Sequence, residues 1–284
     1  MDALAWMGED VRFLVLGASS FYGTNFCALL KERGEDVQAL SRPAWSLGAP
    51  IPYADCVVNF ASSSLVAESW REPGAWLATN ALDTTTLFNQ AMALDIPRFV
   101  HVSTPEVYGH TPSAVREGHP FNPSTPYAVS RAAGDMMLMA YHRAYGFPAI
   151  ITRTANIYGF GQPEHRFIPH AFKTLRKGMP LGLDGGGNTV RGWLHVRDAC
   201  EATYLICLQG RKGETYHIAP KGIITVEALA KMICTQLGTP HGLLTHRADR
   251  LGKDIAYIMD SSKLRAMGWS ERIPLKEGLA EYGN

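Results

Sequence analysis

VRFLVLGASSFYGTNFCALLKERG, residues 11–34, is the stretch whose reading decides the fold. An apolar run from Val11 to Leu16 reads as a buried strand, and a Gly/Ser turn follows it. Apolar residues then recur at helical spacing through Phe26, Leu29 and Leu30 until Gly34 stops the helix. A second apolar run, VQALS, opens at Val37, which completes a βαβ unit. Working outward, CVVNFAS (56–62), RFVHVST (98–104) and AIITRTAN (149–156) predict further buried parallel strands, and helical spacing over 74–95 and 127–145 fills the intervals. Strands alternating with helices predict an α/β fold built on a doubly wound parallel sheet. Near residue 160 the alternation gives way to short elements with glycines at 182 and 185–187. The division expected is a first domain over 1–160, with a return to it around 189–207, and a smaller lobe mainly over 161–284.

The turn GASSFYG places Gly17, Ser20 and Gly23 at the three positions of a GxxGxxG pattern, with Phe21 and Tyr22 between the last two. A residue without a side chain lets the backbone approach a pyrophosphate, and the helix N-terminus offers it free N–H groups. Glycine-rich turns also join strands to helices for geometric reasons alone. Its place after the first strand of a βαβ unit favours dinucleotide binding. At the end of the second strand, the site of the carboxylate that commonly binds the ribose of NAD, stand Ser41 and Arg42. An arginine suits a 2′-phosphate, so NADP is slightly preferred over NAD; the alternative is a solvated loop arginine.

Charge and composition exclude several classes. With 27 Lys+Arg against 26 Asp+Glu the net charge is +1, so no electrostatic footprint points to nucleic acid or an anionic membrane. No apolar run approaches the ~20 residues that span a bilayer, and the acidic start MDALAWMGEDVR does not resemble a signal peptide. The five cysteines form no CxxC pair and the ten histidines no HExxH, so a reduced cytoplasmic protein without a metal is expected.

TPYAVSR (125–131) is the candidate for the chemistry; the alternative is an exposed helix start with none. Tyr127 and Arg131 stand four apart, on one face of a helix. A free tyrosine titrates near ~10, so a fixed cation is needed before it serves as a base near neutrality. Together GASSFYG, STPEVYG (103–109), TPYAVSR and RTANIYG (153–159) resemble the extended short-chain dehydrogenase/reductase family, of the NAD-dependent epimerase/dehydratase type. The similarity is greatest to dTDP-glucose 4,6-dehydratases. It continues through FIPHAF (167–172), GGGNTVRGWLHVRDACEA (185–202) and DRLGKDIAYIMDSSKLRAMGW (249–269).

The resemblance implies a Rossmann fold with a C-terminal substrate lobe, and chemistry on a nucleotide-diphosphate sugar through transient oxidation at C4. It implies Thr104 as the group that positions the sugar hydroxyl, Tyr127 as the base with Arg131 as its cation, and Glu106 as the C5 base. Glu106 as a carboxylate capping the next turn is the alternative. The cofactor set it implies is Gly17, Ser20, Phe21, Tyr22, Gly23, Ser41, Arg42, Ala61, Tyr127 and Arg131; the substrate set is Asn156, Arg191 and Arg250. A homodimer through the helices around 78–92 and 127–145 is implied as well.

Three departures from the family pattern stand out. Arg131 occupies the place of a lysine; it keeps the charge but is planar and effectively never deprotonated. Pro105 stands where dehydratases carry a proton-donating acid, which leaves epimerisation, or binding without turnover, as alternatives to dehydration. Only about a dozen residues separate Arg42 from the strand at Cys56, too few for the extra strand and helix expected there, so one edge βα unit is expected to be missing.

Overall fold

The computed structural model describes residues 11–249, 252 and 254–283. Six parallel strands form the main sheet: β1 (Arg12–Leu16), β2 (Asp36–Leu40), β3 (Cys56–Asn59), β4 (Phe99–Ser103), β5 (Ala149–Thr154) and β6 (Thr215–Ile218). Their order across the sheet is β6-β5-β4-β3-β1-β2. Alternate side chains of β1 point to opposite faces and seed two cores. Phe13 and Val15 pack with α1 (Phe21–Glu32) and α5 (Val196–Gln209), through Phe26, Leu30, Cys200 and Ile206. Leu14 and Leu16 pack on the other face with α2 (Thr84–Ala93) and α3 (Pro126–Tyr145), through Phe88 and Leu138. Both faces are covered, which is why the strands read as continuous apolar runs rather than alternating ones.

The chain beyond residue 160 adds a third core, where α4 (Phe167–Arg176) meets α6 (Val226–Leu237) through Phe172, Leu229 and Ile233. Two-stranded ladders frame it, among them Leu181–Asp184 with Leu244–Arg247. β6 belongs to the main sheet, paired with β5 from Thr215↔Ile151 to Ile218↔Thr154. It lies beyond the 189–207 return drawn from the sequence; of that return, α5 from Val196 packs on α1.

β2 is the edge of the sheet, and residues 41–55 contain no strand. That connection is held by packing. The Trp45 indole is buried in the second core and donates to the carbonyls of Ala49 (3.3 Å) and Pro50 (3.1 Å). Gln90 of α2 donates to the Gly48 carbonyl at 3.0 Å.

Candidate active site

The turn after β1 is shaped by close approach. Gly17 has φ +73°, and a Cβ there would lie 2.6 Å from the Ala61 nitrogen, so Ala61 forms the wall of the turn. A Cβ on Gly23 would come within 2.4 Å of the Gly17 carbonyl oxygen. Ser20 caps α1 by accepting from the Gly23 N–H at 3.0 Å. The Tyr22 side chain turns away from this surface. Its hydroxyl donates to the Ala199 carbonyl (2.9 Å) and lies 2.7 Å from Thr203 Oγ1, so Tyr22 joins α1 to α5. Phe21 approaches Gly159, whose added Cβ would lie 3.6 Å from the Phe21 ring. Ser41 is half-buried and Arg42 exposed at the end of β2.

Tyr127 enters the site from the first turn of α3. Thr125 caps that helix by accepting from the Ala128 N–H, and Pro126 at the first helical position has no N–H to leave unpaired. The Tyr127 N–H donates to Ser69 Oγ at 3.1 Å, and Asn80 donates to Ser130 Oγ at 2.9 Å, so the helix start is fixed from both sides. Thr104 follows β4 in extended conformation, and its side chain accepts from the Glu106 N–H at 3.3 Å. Burial raises the Tyr127 phenol above its ordinary pKa. Arg131 works against that rise, Glu106 adds to it, and a hydrogen bond with Thr104 and the charge of Arg166 lower it. The four residues named from the sequence therefore converge, and Arg166 joins them from the N-cap of α4.

On the substrate side, Asn156 Oδ1 accepts from the Tyr257 hydroxyl at 2.8 Å. The Arg191 guanidinium lies 3.9 Å above the Tyr257 ring. Arg191 also donates to the carbonyls of Val190 (2.8 Å), Ile255 (3.1 Å) and Asp254 (2.8 Å). It is held over the aromatic ring, with part of its fork already engaged. Burial pushes the Tyr257 phenol up to about 12, Arg191 and Glu106 acting in opposite directions upon it. Tyr257 was missed in the sequence because its segment was read for Arg250. Arg166 was missed because nothing in the local pattern ties it to Tyr127. Arg250 itself lies outside the described residues. Among those residues no cluster of His, Cys, Asp and Glu could hold a metal ion.

The residues present fit a dinucleotide. The two glycines leave a side-chain-free surface at the N-terminus of α1, where an anion is favoured. Nε and Nη1 of Arg131 are buried with no hydrogen-bond partner in the protein, two donors suited to ribose hydroxyls.

Residues 13–219 match the NAD dependent epimerase/dehydratase family, and the chain belongs to it. It is 38% identical over 229 residues to a dTDP-glucose 4,6-dehydratase of Streptomyces niveus, covering 80% of this chain and 68% of that one. The corresponding enzyme of Haemophilus influenzae is 36% identical over 251 residues, with 80% and 74% covered. Among solved structures, DesIV, a dTDP-glucose 4,6-dehydratase from Streptomyces venezuelae, superposes with a TM-score of 0.90 at 31% identity, covering 96% of this chain and 95% of that one, and carries NAD. A Thermus thermophilus UDP-glucose 4-epimerase shares the fold, with a TM-score of 0.87 at 22% identity over 96% and 97% of the two chains. The chain is thus an enzyme of the nucleotide-sugar dehydratase/epimerase family. The NADP preference drawn from Arg42 finds no support in these NAD-bearing relatives.

Proposed function

We propose that this chain is an NAD-dependent enzyme that modifies a nucleotide-diphosphate sugar by 4,6-dehydratase-like chemistry. The observation that carries this reading is the convergence of Thr104, Tyr127 and Arg131 with Glu106, whose charge is felt by both Tyr127 and Tyr257. Bound NAD supplies an acceptor for the C4 hydride and returns that hydride later in the cycle. Thr104 holds the sugar 4-hydroxyl and Tyr127, as phenolate, takes its proton. Arg131 stabilises the phenolate and binds the cofactor ribose. The 4-ketone acidifies C5–H, and Glu106 takes that proton. The 6-hydroxyl then leaves as water, with a proton delivered by solvent or by a group other than Pro105. Asn156, Arg191 and Arg250 hold the nucleotide diphosphate, Arg191 as a pre-fixed cation rather than a free bidentate fork. Cofactor contacts come from the turn residues Gly17, Ser20, Phe21 and Gly23, from the Tyr22 backbone, and from Ser41, Arg42 and Ala61.

Pro105 favours one second reading, epimerisation. It has no proton to give a leaving group, and epimerisation has no leaving group: inversion at C4 needs Tyr127, a hydride acceptor and rotation of the keto sugar before the hydride returns, and inversion at C5 of that 4-ketone needs Glu106 on one face with a proton delivered by water to the other. The test is NMR of the protein incubated in D₂O with dTDP-glucose, UDP-glucose and their N-acetyl and uronic-acid relatives, with NAD. A 4-keto-6-deoxy product deuterated at C5 is expected. An epimer selects the second reading; bound cofactor without turnover of any donor sinks both and leaves a binding protein.

Three further proposals accompany this reading. The chain lacks an edge βα unit that relatives carry, its place taken by the Trp45 connection, which leaves the adenosine end of the cofactor more open. Its first domain comprises 1–160 with a return near 189–207, and 161–284 forms mainly the substrate lobe. It forms a cytoplasmic homodimer through the helices around 78–92 and 127–145, which expose Leu82, Val129, Met136 and Met137.

A further inference from the structure

Beside Arg131 lies a buried histidine that the chemistry above does not use. His101 stands on β4, three residues before Thr104, and is 1% exposed. Its tautomer follows from its neighbours. The Ala61 N–H donates to Asn59 Oδ1 at 3.0 Å, which leaves Asn59 Nδ2 as the donor end of the amide. Nδ2 lies 3.2 Å from His101 Nδ1, so Nδ1 accepts and the ring proton sits on Nε2. Nε2 faces two groups on α3: Arg131 Nη2 at 3.4 Å and Asp135 Oδ1 at 3.8 Å. The edge of the Phe88 ring closes the other side. Burial above all, then the charges of Arg131 and Arg153, keep the imidazole neutral by holding its pKa well below the usual value.

Arg131 and Asp135 are four residues apart on one helix, the spacing at which opposite charges ordinarily pair. Here they do not. Asp135 Oδ2 accepts from Ser103 Oγ (2.9 Å) and from Arg153 Nη2 (2.7 Å). Arg131 Nη2 donates to the Val102 carbonyl. Two hydrogen-bearing nitrogens 3.4 Å apart cannot bond, so the His101 edge acts as a wall to the guanidinium while offering its N–H toward Asp135 Oδ1, which has no hydrogen-bond partner. The consequence is that Nε and Nη1 of Arg131 stay unpaired, in a buried layer where a carboxylate stands one turn away.

We propose that His101 is a positioning residue: it stands between Arg131 and Asp135 and prevents a buried ion pair, so that the guanidinium remains available to Tyr127 and to the ribose of a bound dinucleotide. This rests on the reading, given above, that Arg131 serves Tyr127. The device belongs to an arginine, whose fork reaches the β4 backbone and would otherwise find the unpaired Asp135 Oδ1.

The test reads Tyr127 directly, without turnover. The protein is labelled with [ζ-¹³C]tyrosine, the Tyr127 resonance is assigned by its loss in Tyr127→Phe, and its titration midpoint is followed by NMR. The surrounding charges that set this midpoint are Arg131, Glu106 and Arg166, with the Thr104 hydroxyl. In His101→Asn or His101→Ser, either of which opens the space between the two side chains, the midpoint rises by about one pH unit, a tenfold gain in proton affinity. Arg131→Met gives a rise of similar size, and His101→Asn/Arg131→Met adds nothing to it. His101→Gln, long enough to refill the gap, restores a midpoint near that of the parent. A midpoint unmoved in both truncations, while Arg131→Met shifts it, overturns the proposal. A midpoint unmoved by Arg131→Met overturns the underlying reading of Arg131 as well, and that variant tells the two failures apart.

Discussion

Tyr127 is held by two opposed influences, and its pH dependence follows from their signs. Burial favours the neutral phenol, and Arg131 favours the phenolate. Because the net shift is upward, the reactive phenolate grows as pH rises, and turnover climbs on the alkaline side of neutrality. Removing the cation in Arg131→Met moves that climb to still higher pH, while Tyr127→Phe lowers kcat by roughly 10²–10⁴-fold. NADH binding, followed by its fluorescence, persists in Tyr127→Phe. A Tyr127→Phe variant with parental kcat would remove tyrosine from the mechanism. Tyr127 and Arg131 stood out in the sequence because i and i+4 on a helix share a face, whereas Thr104 and Glu106 were named only through the resemblance of STPEVYG to the family. The direction of the Tyr22 side chain was not legible. Neither was the Asn59–His101–Arg131 contact, which depends on β3 and β4 lying in register, Asn59 opposite His101.

At the scale of elements, β1, α1 and β2 follow the sequence within a residue or two, since a strand buried on both faces leaves a continuous apolar run and α1 keeps its 3.6 spacing. β6 escaped notice because TYHI, flanked by charged residues and lying past a change of texture, gives only a short apolar signal. The shortness of 41–55 was visible as a count, but what holds it was not. Trp45 is the residue on which that connection turns, being buried and bonded to two carbonyls. Trp45→Ala is predicted to cost about 3–5 kcal/mol of stability. It also frees the chain that follows Ser41 and Arg42, so NADH affinity falls together with the urea midpoint. A loss of stability with NADH affinity intact would separate this connection from the cofactor site.

Across the whole molecule, two faces govern association and stability. The exposed apolar side chains Leu82 (68%) and Met136 (55%) lie on the helices proposed to pair with a second copy. Leu82→Arg with Met136→Glu is therefore predicted to halve the mass in light scattering while leaving the circular dichroism unchanged; a parental mass would place the interface elsewhere. The interior sets the response to acid. His217, buried between Tyr108 and the Asp260 carbonyl, has its pKa pushed down to about 3, burial being the main cause and Arg153 the next. His101 is lowered in the same direction. Between these depressed values and the ordinary ~6.5, the unfolded chain binds protons that the native state refuses. Stability is therefore full above about pH 6.5 and falls as pH drops below it, by about 1.4 kcal/mol per pH unit for each histidine. Asp254, whose pKa burial raises, works in the opposite sense at lower pH, so the slope is cleanest between about pH 6 and 5. Urea midpoints taken across that interval in the parent and in His217→Gln, where one titrating group is gone, should show the slope reduced by about half. An unchanged slope would assign the acid sensitivity to groups other than this buried pair.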